Sequence, residues 1–233
     1  MNIYGDRGNI LTLKKRAEWR GIPVTIQAIG RGPAPDLSEI DLIFWGGGQD
    51  RDQELVFRDA AEYKVNAIRA AIDAGAVVLA VCGGYQLLGE YYVTADGKRL
   101  PGLELVDLHT VPGTRRNIGN IVIETSDLGL TPRTLVGFEN HSGKTYLGPG
   151  LSPLGRVLRG AGNNGEDGTE GVASGNIFGT YLHGSLLPKN PHLADLLITR
   201  ALQRRSGDGL GALDDTAEMA AHQAMVRQLM GAA

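Results

Sequence analysis

The alternation of apolar and polar positions divides the chain into two stretches of different character. In the first, helical and strand-like patterns take turns. "NILTLKKRAEWRG", from Asn9 to Gly21, sets Ile10, Leu13 and Ala17 at helical spacing and closes on a glycine, which predicts a helix. "IPVTIQAI", from Ile22 to Ile29, is rich in β-branched residues and predicts a strand, and "RGPAPDLSE" a loop. "DLIFWGGG", from Asp41 to Gly48, predicts a short buried strand running into three glycines. "QDRDQELVFRDAAEYKVNAIRAAIDAG" predicts a helix with acids in its first turns and Gly75 as its cap. "AVVLAVCGGYQLLGEYY" then predicts strand, turn and a helix starting near Tyr85.

The second stretch breaks into short strand-like pieces, "LELVDLHTV", "NIVIETS", "TLVGFEN", "GRVLRG" and "NIFGTYLHG", separated by Gly, Pro and Asn. These predict more sheet, some of it antiparallel. "GAGNNGEDGTEG", Gly160 to Gly171, carries acids and no lysine, so it predicts a flexible surface turn and not a phosphate cradle. Two helices close the chain, His192 to Arg205 and roughly Asp215 to Met230. With no repeats and no domain-scale linker, residues 1–205 are expected to form one domain and residues 206–233 its helical C-terminal extension. The expected class is α/β, a mostly parallel central sheet flanked by helices with additional antiparallel strands. In such sheets ligands bind beyond the carboxyl ends of the strands, where Gly46–Gly48, Cys82 and Gly83–Gly84 fall.

Composition narrows the function classes. Hydrophobic residues make up 42% and charged residues 21%, ordinary for a soluble globular chain. A formal net charge of -3 gives no basic footprint, so no nucleic-acid partner is expected. No apolar stretch approaches the roughly 20 residues of a membrane span, and the N-terminus lacks the apolar run of a signal peptide. A cytoplasmic protein without a membrane span is expected. The single cysteine excludes an internal disulfide.

That cysteine lies between a buried strand and a glycine pair. A nucleophile passing straight from strand into helix needs small neighbours, because the backbone crowds at the elbow. Gly83 and Gly84 supply them. A following helix would point its positive end at Cys82 and favour the thiolate, and free N–H groups there could bind an oxyanion. The alternative is a buried cysteine serving as a small hydrophobe. A cysteine nucleophile also needs a base. Among five histidines, His183 is favoured because it too follows an apolar strand and precedes a glycine turn. His141, on the polar "GFENHSGKT" segment, is second; His109 lies in a strand-like run, and His192 and His222 in helices expected at the surface.

The ordered set "FWGGGQD", "VCGGYQLLG" and "GTYLHG" resembles the class I (triad-type) glutamine amidotransferases, whose fold is flavodoxin-like, and within them the cobyric acid synthase-like branch. "IYGDRGNILTLKKRA", "GFENHSGKTYLG", "GNNGEDGTEG" and "GTYLHGSLLPKNP" sharpen this to the glutaminase subunits of lipid II isoglutaminyl synthases. The resemblance implies that Cys82 attacks the side-chain amide of L-glutamine, with His183 as base and N–H groups of Gly47, Gly48 and Gly83 holding the oxyanion. Ammonia would pass to a Mur ligase-like subunit, MurT, in a heterodimer. That partner would carry ATP and Mg²⁺ and amidate the D-glutamate of lipid II, so no cofactor is expected on this chain. The chain lacks the glycine-rich ATP loop G-x-x-x-x-G-K-[ST], because "ENHSGKT" lacks the upstream glycine at the motif's spacing and the preceding apolar strand.

Many triad enzymes carry His-x-Glu, whereas this chain reads His183-Gly184-Ser185. The orienting acid is therefore expected from the partner, with Glu139 and Asp195 as in-chain alternatives. For the substrate's α-carboxylate, "PGTRRNIGN" offers Arg115 and Arg116, of which Arg116 is favoured, and Gln86 could touch the substrate. Asp50, Arg51 and Asp52 could contact the partner or simply open a helix. Rival readings are a glutaminase of another amidating synthetase, a cysteine hydrolase on a related sheet, and a non-catalytic partner-binding module.

Overall fold

The structure, a computed structural model, describes residues 6–48 and 50–231, and the backbone alone for residues 50–53. The predicted first helix is α1 (Arg7–Glu18). It is fastened by Arg16, whose buried guanidinium forks onto Asp195 and Asp215 at 2.6–2.8 Å. Such two-pronged pairs fix geometry as well as charge. After β1 (Leu42–Trp45), the long predicted helix is divided into α2 (Asp50–Tyr63) and α3 (Val65–Asp73). The break falls at Lys64, which leaves helical geometry at φ -127° and buries its ammonium against Asp59 and the carbonyl of Gly32.

Then come β2 (Val77–Val81), α4 (Gly83–Leu87), β3 (Tyr91–Val93), β4 (Arg99–Pro101) and the two long strands β5 (Leu108–Thr125) and β6 (Thr134–Leu147). The chain continues through β7 (Gly155–Arg159), β8 (Thr169–Glu170), β9 (Val172–Ser174), β10 (Ile177–Thr180), α5 (Leu186–Lys189), α6 (Pro191–Arg205) and α7 (Thr216–Gly231).

Two sheets result. One has the order β1-β2-β10-β9, with the first two pairs parallel and β9 antiparallel. The other runs β4-β3-β5-β7-β8 with β6 on β5, and is antiparallel except between β3 and β5. The α/β class is as the sequence predicts, a parallel core with antiparallel additions. Strand β2 is the centre: its five apolar residues are each 0–1% exposed. Sealing each Val or Leu there contributes roughly 1.5–3 kcal/mol before entropy is counted. Helix α7 lies across β5 and β6, with Leu229 against Val122 and Val136.

Two further expectations fail here. Residues 22–29 form no strand: Ile26 and Ile29 are 49% and 41% exposed on an irregular segment. β-Branched composition describes fit to a half-buried pleated surface, and this segment meets none; Pro23 also removes a ladder donor. The Gly160–Gly171 stretch is not a free surface turn either, because Asn163, Asn164 and Glu170 within it are 0%, 2% and 0% exposed.

Candidate active site

The elbow is built by the end of β2. Cys82 follows Val81 directly and takes φ 53°, ψ -112°, a strained conformation for a residue with a side chain. Its N–H donates to the carbonyl of Thr180 at 2.8 Å, which ties it to the end of β10. A Cβ on Gly84 would lie 2.4 Å from the carbonyl oxygen of Trp45, so only glycine lets the elbow pack on the end of β1. Cys82 is buried, with 8% of the residue exposed. Helix α4 begins at Gly83, not near Tyr85, and has five residues. Its dipole is correspondingly slight, and the Gly83 N–H is one of the first-turn donors that a helix does not itself pair.

The glycine turn after β1 leans against this elbow. A Cβ on Gly47 would sit 3.2 Å from Cβ of Cys82 and 3.7 Å from its Sγ. Gly47 and Gly48, both expected as oxyanion donors, are buried there. The structure corrects one detail: the N–H of Gly47 donates to Oδ2 of Asp6 at 2.6 Å. That donor is engaged within the fold, which leaves Gly48 and Gly83 of the expected set.

Register carries His183 to the same sheet edge. Thr180 on β10 pairs with Val81, so Cys82 and His183 both lie just beyond the ends of neighbouring parallel strands. Two backbone bonds of 3.1 Å between Phe138 and His183 clamp the histidine to β6. Its imidazole is 2% exposed and hydrogen-bonds to the backbone carbonyl of Asn140. Burial above all, then the neighbouring His141, lowers its pKa to about 4, so the ring is neutral at pH 7. Neither in-chain alternative for the orienting acid is idle. Asp195 is bound by Arg16 and Arg20. Glu139 accepts the N–H groups of Ala161 and Gly162 at 2.9 and 3.0 Å and lies 3.9 Å from Nε2 of His141.

The remaining sequence candidates divide. Arg116 is exposed on β5, bonds Oδ1 of Asn140 at 2.6 Å, and is near enough for its charge to act on His183. Arg115 beside it is also exposed. Gln86 is buried, and its Nε2 donates to the hydroxyl of Tyr181 at 2.9 Å. His109 stacks between Tyr91 and Tyr146 on the second sheet. His192 and His222, expected at the surface, instead meet edge to face at 5.0 Å where α6, α7 and β6 converge. The side chains of Asp50, Arg51 and Asp52 lie outside the described residues.

A polar network beneath the histidine escaped the sequence reading. Glu170, fully buried, accepts the hydroxyl of Thr180 at 2.6 Å and the N–H of Tyr181 at 2.8 Å. Burial raises its carboxyl pKa to about 7. Asn163 takes the hydroxyl of Tyr85 at 3.0 Å and the N–H of Gly171 at 2.8 Å. His141 stacks on Tyr181. The paired asparagines inside a glycine-rich segment were the available signal, since buried amides need several partners and glycines let backbone approach them.

The model of the CobB/CobQ-like glutamine amidotransferase domain matches residues 1–191. The GatD subunit of lipid II isoglutaminyl synthase (glutamine-hydrolyzing) from Staphylococcus aureus is 41% identical over 230 residues, covering 97% of this chain and 90% of the relative. The corresponding subunit from Streptococcus pneumoniae is 44% identical over 211 residues, 90% of this chain and 80% of the relative. The solved structure of PurLQS from Thermotoga maritima shares the fold with a TM-score of 0.51 at 14% identity, covering 93% of this chain and 92% of that one. The chain therefore belongs to the CobB/CobQ-like glutamine amidotransferase family, in the branch of the lipid II isoglutaminyl synthase GatD subunits.

Proposed function

We propose that this chain hydrolyses L-glutamine to glutamate and ammonia and hands the ammonia to a synthetase subunit that amidates lipid II. Cys82 attacks the side-chain amide carbon as its thiol proton passes to His183. The N–H groups of Gly48 and Gly83 hold the oxyanion, His183 protonates the departing ammonia, and water then hydrolyses the γ-glutamyl thioester with His183 again as base. Arg116 is assigned to the substrate's α-carboxylate, and Gln86 acts by bracing Tyr181.

The observation that carries this reading is the strained elbow at Cys82 beside a buried, neutral His183 on one sheet edge. The names of the S. aureus and S. pneumoniae relatives support lipid II as the acceptor. The finer assignment is a cytoplasmic heterodimer with a Mur ligase-like subunit, MurT, which holds ATP and Mg²⁺ and converts the D-glutamate of lipid II to D-isoglutamine. Residues 1–205 and the extension 206–233 act as one domain. Among the described residues, no helix is long and apolar enough to cross a membrane.

The test is ammonia release from glutamine by the chain with its partner, followed by glutamine-dependent amidation of lipid II. Cys82→Ala should abolish both, and hydrolysis that persists in that variant sinks the reading. The orienting acid for His183 is assigned to the partner; full glutaminase turnover by the chain alone would overturn that part.

A further inference from the structure

The first turn of α1 touches both halves of the candidate site. Asp6 stands at the N-cap of the helix, where an aspartate ordinarily accepts an N–H of its own first turn. It makes no such cap. Its Oδ2 reaches across to the Gly47 N–H at 2.6 Å, and a Cβ on Gly47 would lie 3.7 Å from both that oxygen and the Cys82 sulfur. Three residues on, Oδ1 of Asn9 accepts the N–H of Leu187 at 2.8 Å, four residues after His183. Between them Gly8 packs on Ser185: a Cβ there would meet its side-chain oxygen at 2.3 Å. Asp6 and Asn9 are 1% and 0% exposed, and each leaves one buried polar atom, Oδ1 and Nδ2, without a partner among the described residues. Forgoing a cap and burying two unmatched atoms both cost stability. An arrangement kept for stability alone would not look like this.

We propose that Asp6 and Asn9 are positioning residues, two arms on one helical turn that hold the nucleophile's glycine turn and the histidine's loop at a fixed separation. Asp6 acts through Gly47 on the backbone beside Cys82, and Asn9 through Leu187 on the segment leaving His183. Neither touches the substrate. The proposal rests on Cys82 and His183 being the reacting pair, and it gives the "GDRGN" segment a role that the reaction itself does not assign.

Steady-state glutamine hydrolysis, measured with the partner subunit bound, tests it. Asp6→Ala and Asn9→Ala should each lower kcat on the order of ten- to a hundred-fold, the scale of a small misplacement of reacting groups, with KM changed less than about three-fold. The double variant should lose little more than either single one, because both arms set one distance. Asp6→Asn keeps an acceptor for Gly47 and should restore kcat to within about three-fold of the parent. Parental kcat in Asp6→Ala, or an Asp6→Asn variant as slow as Asp6→Ala, overturns the proposal. If Asp6→Ala does not fold, Asp6→Asn decides alone: parental turnover supports it and loss overturns it. Residual hydrolysis in Cys82→Ala would instead defeat the reading of the reaction, so the two failures are distinguishable.

Discussion

The rings of His141 and Tyr181 lie face to face, 3.7 Å between centroids and 5° from parallel. Nδ1 of His141 is bonded to the carbonyl oxygen of Gly143 at 2.8 Å, and the Tyr181 hydroxyl is bonded to Thr145 at 2.7 Å and to Gln86 at 2.9 Å. This stack joins β6 to the segment that carries His183. It places a second imidazole where its charge lowers the pKa of the first.

The pH dependence of catalysis should report that arrangement. A base works only when unprotonated, and the pKa of His183 is lowered from 6.5 to about 4. The acidic limb of kcat/KM should therefore lie well below pH 6, with activity held from pH 7 down to that point. A pH profile of glutamine hydrolysis checks it; a midpoint at 6.5 or above would contradict the burial argument. His183→Ala should lower kcat by roughly a hundred-fold or more at pH 7.

Arg116→Ala should raise KM for glutamine roughly ten-fold and leave kcat within about three-fold, because a charged hydrogen bond to the bound carboxylate contributes on the order of 1.5–3 kcal/mol. Arg116→Lys should recover only part of the loss, since an ammonium cannot make the two-pronged grip. An unchanged KM in Arg116→Ala would remove this residue from the substrate site.

Stability between about pH 4.5 and pH 7 should respond to Glu170. Its folded pKa is raised from 4.5 to about 7, so its contribution is fully present below pH 4.5 and is lost as pH rises through 7, where ionisation must occur in the core. Glu170→Gln keeps an acceptor for Thr180 and Tyr181 and removes that ionisation. Thermal melts should show the variant gaining on the parent from about pH 4.5 to pH 7 and keeping a constant lead above it. A constant difference from about pH 4.5 to pH 7 would mean that the carboxyl does not titrate there.

Gly179→Ala should destabilise the fold by about 1–3 kcal/mol or more, because a Cβ on this β10 glycine would fall 2.2 Å from Cδ2 of the fully buried Tyr85 ring. Urea unfolding would measure it, and a parental midpoint would show that the ring can retreat.

The placement of Cys82 and His183 on one sheet edge was legible in the sequence because each directly follows an apolar run that forms a strand. Helices α1 and α6 were legible from period and caps. The rest depended on tertiary partners. Nothing local tells that Asp6 will ignore its own helix for Gly47, that Asn163 will turn inward to Tyr85, or that Ile22–Ile29 will find no neighbouring strand. Long-range hydrogen bonds decide such cases, and they leave no periodic trace in the residues that make them.

The left-handed backbone at position 82 carries a thermodynamic implication. Glycine adopts φ 53° without the penalty borne by a β-carbon, which is of order 1–3 kcal/mol. Cys82→Gly should consequently melt higher than the parent, and Cys82→Ala should not. The thiol therefore stands at position 82 against the conformational preference of its own backbone.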